Sequence, residues 1–291
     1  MRIGYYPGCT LKYKALNLEK SAIAALAELG VEMAELERWN CCGAVYSLAD
    51  DDLIHLLAPV RDLVRAKDEG YDKLVTICSM CYNTLARANL VMKNDEEKRN
   101  TINSFMEEES DYSGEVEVLH LLNFIRDEIG WDKVKSAVKK PLAGMKLAPY
   151  YGCTLTRPHE ITIDPAVTPS VFNDFALALG AEIVNFPAAE ECCGSYQMVA
   201  SPDTAVSLAG NVLNSAKQNG ADALILSCPL CEYNLSHRQA DVIAAGEGME
   251  EIPVLYFTQL LALALGLGPE VLELGLNHQR TVDFLKAKGV A

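Results

Sequence analysis

Basic side chains are scarce in this chain. Lys and Arg number 25 against 40 Asp and Glu in 291 residues, a formal charge of −15. Non-specific nucleic-acid binding needs the opposite balance, to displace phosphate counterions, and is not expected. Long apolar runs are missing as well. The most hydrophobic window, VLYFTQLLALALGLG at 254–268, is interrupted by Gln259 and falls short of a bilayer span, so it reads as a buried helix. The opening residues MRIGYYPGC hold no apolar stretch of the kind a secretory signal needs, and a cytoplasmic location is expected. There is no Gly-x-Gly-x-x-Gly dinucleotide fingerprint and no ferredoxin-type Cys-x2-Cys-x2-Cys-x3-Cys run. A redox role would therefore depend on electrons delivered from elsewhere.

What the chain does have is ten cysteines, and all of them fall into one duplicated pattern. Cys9, Cys41, Cys42, Cys78 and Cys81 follow C-x31-CC-x35-C-x2-C; Cys153, Cys192, Cys193, Cys228 and Cys231 follow C-x38-CC-x34-C-x2-C. The flanks repeat too. YYPGCTLKY (5–13) answers PYYGCTLTR (149–157), TICSMCYNTL (76–85) answers LSCPLCEYNL (226–235), and VEVLHLLNFI (116–125) answers IPVLYFTQLL (252–261). In a reducing compartment such thiols are metal ligands or redox groups rather than structural bridges.

The segments between cysteines alternate in period. RIGYY (2–6), VEMAEL (31–36) and YDKLVTIC (71–78) read as strands. Residues 17–30 read as a helix capped by Asn17 or Ser21 and stopped at Gly30; residues 51–70 read as another, kinked or restarted at Pro59. The second half repeats the order through KLAPYYGC, VFNDFALALG, AEIVNF, TAVSLAGNVLNSAKQNG and ADALILSC. The expected fold is α/β, with two pseudo-symmetric Rossmann-like halves and mostly parallel sheets. Sites in such sheets gather beyond the carboxyl ends of strands, where Cys9, Cys78, Cys153 and Cys228 fall. The expected division is residues 1–130, a linker at 131–145 and residues 146–291. The charged stretch 93–110 reads as a solvated helix, and WDKVKSAVKKPLAGMK (131–146) as exposed.

Five thiols per half exceed the four that a tetrahedral zinc site takes. Adjacent cysteines, with Cα atoms about 3.8 Å apart, suit a cluster in which each sulfur reaches a different iron. Ordinary iron–sulfur clusters use four cysteines, so a fifth implies an unusual cluster or a thiol kept for chemistry. Gly43 and Gly194 would then leave room for backbone or substrate to approach. Disulfides would strand an odd thiol in each half, and redox dithiols would not explain the vicinal pairs.

These motifs resemble the cysteine-rich CCG domain, and two intact copies without a ferredoxin segment resemble the B subunit of heterodisulfide reductase. The resemblance implies two noncubane [4Fe–4S] clusters facing each other between the halves. One would be held by Cys9, Cys41, Cys42, Cys78 and Cys81, the other by Cys153, Cys192, Cys193, Cys228 and Cys231. It also implies reduction of the coenzyme M–coenzyme B disulfide, or an analogous one, to two thiols by one electron from each cluster. The implied partners are the other heterodisulfide reductase components. They comprise an iron–sulfur C subunit that donates directly, a flavin-bearing A subunit where bifurcation occurs, and a hydrogenase or formate dehydrogenase upstream. CCG domains also occur in electron-transfer subunits of quinone-linked dehydrogenases, such as the type E subunit of succinate dehydrogenase, which is the alternative function; a zinc-stabilised scaffold is the structural one.

An anionic disulfide calls for positive groups near the motifs. Lys12, Arg157 and His159 are the candidates for its approach, with Lys14, Arg87 and Arg238 behind them, and His159 is the candidate proton donor. His55, His120, His237 and His278 fall in helices or at helix ends, where packing or solvation is the default reading. Tyr5, Tyr6, Tyr150 and Tyr151 flank the first cysteine of each half and would wall the clusters or pack the core.

Overall fold

Each half forms a four-stranded, all-parallel sheet. The computed structural model describes residues 1–44, 53–164, 168–246 and 250–290. The first half runs β1 (Arg2–Tyr6), α1 (Leu16–Glu28), β2 (Glu32–Glu35), α2 (Ile54–Asp68), β3 (Lys73–Thr76), α3 (Ser79–Asn94), α4 (Glu96–Phe105), β4 (Glu117–His120) and α5 (Leu121–Phe124). Helix α6 (Trp131–Ala137) follows. The second half runs β5 (Lys146–Pro149), α7 (Val171–Ala178), β6 (Glu182–Ile183), α8 (Pro202–Gln218), β7 (Ala223–Leu226), α9 (Pro229–Glu232), α10 (Gln239–Ala244), β8 (Val254–Tyr256), α11 (Phe257–Ala264) and α12 (Gln279–Ala287).

The strand orders are β2-β1-β3-β4 and β6-β5-β7-β8. Central strands are buried on both faces, as Leu74 and Val75 are in β3 and the whole of β7 is, because helices cover both sides. In each sheet the connections reverse direction between the two central strands. That switch point opens a crevice beyond their carboxyl ends. Cys9 follows β1 and Cys78 follows β3; Cys153 follows β5 and Cys228 follows β7. The topology alone therefore brings each half's first and fourth cysteines to one crevice.

Helices α1 and α11 join the halves. The Ser21 and Thr258 hydroxyl oxygens lie 2.7 Å apart, Thr258 donates to the Leu18 carbonyl at 3.0 Å, and Asn17 donates to Asn277 at 3.2 Å. This corrects the capping expectation: α1 begins at Leu16, and Asn17 and Ser21 spend their polar atoms on the junction. The rings of Phe172, Phe175 and Phe257 pack edge-to-face, with Phe175 and Phe257 centroids 5.4 Å apart.

Four further expectations change. Helix α2 runs unbroken through Pro59, its apolar face of Leu56, Val60, Leu63 and Val64 being buried as one unit; residues 51–52 of the expected helix lie outside the described residues. The strand expected in AEIVNF shrinks to Glu182–Ile183. The window 254–268 is a strand followed by a helix. Residues 131–146 are not an exposed linker: Val134, Leu142 and Met145 are buried, and the Lys139 and Lys140 amides donate to the Ala264 carbonyl at 2.8 and 2.9 Å. The charged helix α4 matches its expectation, with Ile102 its buried residue and Asp95 capping it through the Lys98 amide.

Candidate functional site

The vicinal cysteines sit on loops held by a device that both halves share. Tyr6 donates its phenol to the Asn40 carbonyl, and the equivalent Tyr150 donates to the Glu191 carbonyl, each at 2.7 Å. Both acceptors immediately precede a Cys-Cys pair. In the first half, the Asn40 amide also donates to buried Asp62 at 2.8 Å and Arg65 donates to the Asn40 side chain at 2.9 Å. In the second, Asn234 donates to the Cys193 carbonyl at 2.9 Å.

The glycine after the second pair serves packing, while a Cβ on Gly43 would meet Ala58 Cβ at an ordinary 3.8 Å. Gly43 and Gly194 adopt φ of +73° and +82°. A Cβ on Gly194 would stand 2.8 Å from Ala205 Cα, so the residue lets the loop turn tightly onto α8. A close approach to sulfur occurs at Gly8 instead, where a Cβ would meet Cys81 Sγ at 2.8 Å.

All ten cysteines are free thiols, and they form linked sets. Sulfur–sulfur distances are 3.6 Å for Cys9–Cys41 and Cys42–Cys81, and 3.3 Å for Cys193–Cys231. Cys78 and Cys228, which cap α3 and α9, hydrogen-bond to each other across the boundary between the halves. The thiols polarise one another. Hydrogen bonding with Cys41 and Cys81 holds the Cys42 thiol well below its ordinary range, while the shared bond with Cys42 pushes Cys81 up. In the second half, hydrogen bonds from Cys231 and Cys78 lower Cys228, and the bond from Cys153, helped by the Gly194 amide and Arg157, brings Cys192 down to about 6. The array thus divides into thiols held low (Cys42, Cys192 and Cys228) and thiols pushed up (Cys9, Cys78, Cys81, Cys153 and Cys231), and ligation of a thiophilic centre would release protons from the latter. Among the described residues, no three cysteine, histidine or carboxylate side chains gather tightly enough to hold one metal ion. The donor set is all sulfur and spread out, which suits a larger body than a single tetrahedral ion.

The other singled-out residues scatter around this array. Lys12 is tied to Glu19 at 2.8 Å and to Glu35. Arg157 and His159 are exposed on the turn after Cys153, and Lys14 is exposed after Cys9. Arg87 and His55 border a separate cavity with Leu56 and Pro158, and Arg238 pairs with Asp241 at 2.9 Å. His237 pairs with Glu232 at 3.4 Å, a contact that raises its pKa. His278 caps α12. His120 is fully buried: Nε2–H donates to the Ile77 carbonyl at 2.8 Å, Nδ1 accepts from the Leu122 amide, and burial lowers its pKa to about 4. Tyr5 donates to buried Glu19, and Tyr151 accepts from the Phe172 amide.

Several residues near the thiols carried no sequence signal. Ser195 Oγ lies 2.8 Å from Cys193 Sγ, Ser79 donates to Cys228, and the Tyr196 phenol reaches Met80 Sδ of the other half at 2.7 Å. Asn83 donates to the Thr154 and Arg157 carbonyls at 2.8 and 2.6 Å, and Tyr82 donates to the Ile161 carbonyl at 2.7 Å. Only their position one to three residues from a cysteine could have marked them.

Comparison with known proteins agrees with this geometry. The chain is 34% identical over 284 residues, 97% of each protein, to the 8-methylmenaquinol:fumarate reductase membrane anchor subunit of Wolinella succinogenes. It is 32% identical over 289 residues to the B subunit of the ferredoxin/F420H2-dependent CoB–CoM heterodisulfide reductase of Methanosarcina acetivorans, covering 98% of this chain and 96% of the relative. A crystal structure of a hypothetical protein from Helicobacter pylori shares the fold at a TM-score of 0.75 and 16% identity, over 96% of this chain and 52% of that one. Residues 3–86 and 147–236 each match the cysteine-rich domain CCG. With both copies of the motif intact and the fold matching, the chain belongs to the cysteine-rich CCG family.

Proposed function

We propose that this chain is the catalytic iron–sulfur subunit of a disulfide-reducing complex. The observation that carries the reading is the Cys78–Cys228 contact, which joins two five-thiol sets across the boundary between the halves. Each set would hold one [4Fe–4S] cluster, of the noncubane type, in units spanning residues 1–130 and 146–291. When bound, the clusters supply one-electron transfer, and two of them match the two electrons that an S–S bond needs. The protein's part is to hold the sets face to face, to orient the Cys-Cys loops through Tyr6 and Tyr150, and to keep water from the buried thiols. A heterodisulfide such as CoM-S-S-CoB is the proposed substrate. An iron–sulfur C subunit would be the donor, with a flavin-bearing A subunit and a hydrogenase or formate dehydrogenase beyond it, in the cytoplasm. The test is anaerobic isolation, iron and sulfide analysis, and turnover of the heterodisulfide with a chemical reductant. Two clusters with turnover support the reading; two clusters with no turnover of any disulfide refute it.

The similarity to the fumarate reductase anchor protein favours a second reading, an electron-transfer subunit of a quinone-linked dehydrogenase. No helix among the described residues is long and apolar enough to cross a membrane. Reduction of the bound clusters by a menaquinol analogue, without disulfide turnover, would select it.

A further inference from the structure

The duplication is imperfect where the halves meet. On one seam α3 meets the loop after Cys153, and Asn83 and Tyr82 fasten it with hydrogen bonds to the Thr154, Arg157 and Ile161 carbonyls. On the other, α9 and the loop after Cys9 border one cavity, and the residues aligned with Tyr82 and Asn83 are Glu232 and Tyr233. Glu232 turns to His237, and Tyr233 is exposed. The donors aimed at sulfur are unequal too. Backbone amides are matched: Ala44 donates to Cys42 and Gly194 to Cys192, Cys81 to Cys78 and Cys231 to Cys228. Side chains are not. Ser195 Oγ lies 2.8 Å from Cys193 Sγ, and Ser79, reaching across from the first half, donates to Cys228. Their counterparts in the duplication are Ala44 and Pro229, whose side chains carry no donor. The first set's hydroxyl neighbour is Thr10, whose Oγ1 stands 3.8 Å from the exposed sulfur of Cys9.

We propose that Ser195 and Ser79 make the cluster of the second set the easier of the two to reduce, so that the first electron entering the chain settles there. A sulfur bound to iron is a thiolate and can only accept, so both hydroxyls donate to it. Donation withdraws charge from the cluster and favours its reduced, more negative state, and hydrogen bonds to the ligand sulfurs are among the controls on cluster potential. Ser79 is 1% exposed and Cys193 and Cys228 are each 3% exposed, so water does not compete for these contacts. Formal charges nearby offset one another: Arg157 favours charge on Cys192 and Glu191 opposes it, where the first half has Tyr13 and Asn40. Exposure of Cys9 and Cys41 favours reduction of the first set. It acts through mobile solvent, whereas each serine is fixed on a ligand sulfur. Each step adds one electron to one cluster, the second set filling before the first.

This rests on the reading that each five-thiol set holds a cluster, and iron analysis tests that reading first. The anaerobically isolated full chain is then titrated with dithionite as reductant and followed by electron paramagnetic resonance. Two one-electron steps are expected, and Cys192→Ser should remove the one of higher potential. Ser195→Ala should lower that step alone, with iron content unchanged. The expected shift is about tenfold in its equilibrium constant, which for one electron is about 59 mV. Ser79→Ala should lower the same step, although Ser79 belongs to the first half. Ser195→Thr, which keeps the hydroxyl, should hold the original value, and Ala44→Ser, which gives the first set a donor, should raise the lower step. A single merged step, loss of the lower step in Cys192→Ser, serine variants that leave both midpoints in place, or loss of iron from both serine variants overturns the inference. A chain without iron overturns the cluster reading with it; two clusters of equal potential overturn the inference and leave that reading standing.

Discussion

The two halves each place five cysteines in matching topological positions and then treat the surroundings differently. At the end of β4 stands His120, which caps the next helix through Nδ1; at the equivalent end of β8 stands Tyr256, whose own amide is capped by Gln259. Asn83 fastens one seam, and Tyr233 leaves the other loose. Tyr6 and Tyr150, by contrast, do one job in both halves. The features kept in duplicate are those that position the cysteine loops. The features that diverged lie where one half meets the other.

The comparison breaks most sharply on the cysteines. Cys41→Ser and Cys192→Ser should each leave about half of the iron, since an iron–sulfur cluster depends on its full ligand set, and each should abolish disulfide turnover. Iron analysis beside turnover checks this; full turnover with one set missing would show that the halves act independently. Next comes Phe257→Ala, which empties the aromatic cluster that packs α11 against α7 and meets His120 of the first half. It should cost about 3–5 kcal/mol, the usual range for a buried phenylalanine, read as a lower denaturation midpoint.

Third is the pH response. The folded-state pKa of His120 lies at about 4, below that of an ordinary histidine, because its cation is desolvated. The unfolded chain therefore binds the extra proton first as pH falls from about 6.5 to about 4. Stability is full above this window and declines through it, by on the order of 3 kcal/mol for this group. His120→Asn keeps a capping acceptor and removes the titration, so its stability should vary less over that window. An identical pH slope in the variant would assign the response elsewhere. The smallest effect separates the seams. Asn83→Ala leaves two carbonyls without their donor and should cost about 1–3 kcal/mol, while Tyr233→Ala, on the open side, should cost less than about 0.5 kcal/mol. Equal losses would mean that both seams carry load.

Much of this was legible early. The strands around Leu74 and Leu224 showed as short apolar runs, and Gly30 marked the stop of α1, with φ of +81°. Local pattern misled where a polar residue had a distant partner. Asn17 and Ser21 looked like caps because nothing nearby in the sequence announces Asn277 or Thr258. Val134, Leu142 and Met145 were obscured by the lysines around them, and their burial depends on α7 and α11 elsewhere in the chain. Among the basic candidates, Lys12 and Lys14 looked alike; only the fold gives Lys12 two carboxylates and Lys14 a cavity.

The amino-acid order alone determined the duplication, the two thiol sets and the α/β alternation that carries cysteines to strand ends, because periodicity and spacing are local properties of the chain. Tertiary structure alone decided that Cys78 meets Cys228, that Asn83 closes one seam, and that Lys14 faces Tyr233 across the other. Burial of apolar surface is non-directional and says which face turns inward but not what it meets. Those pairings join residues remote in sequence, and they are fixed only when the two halves pack.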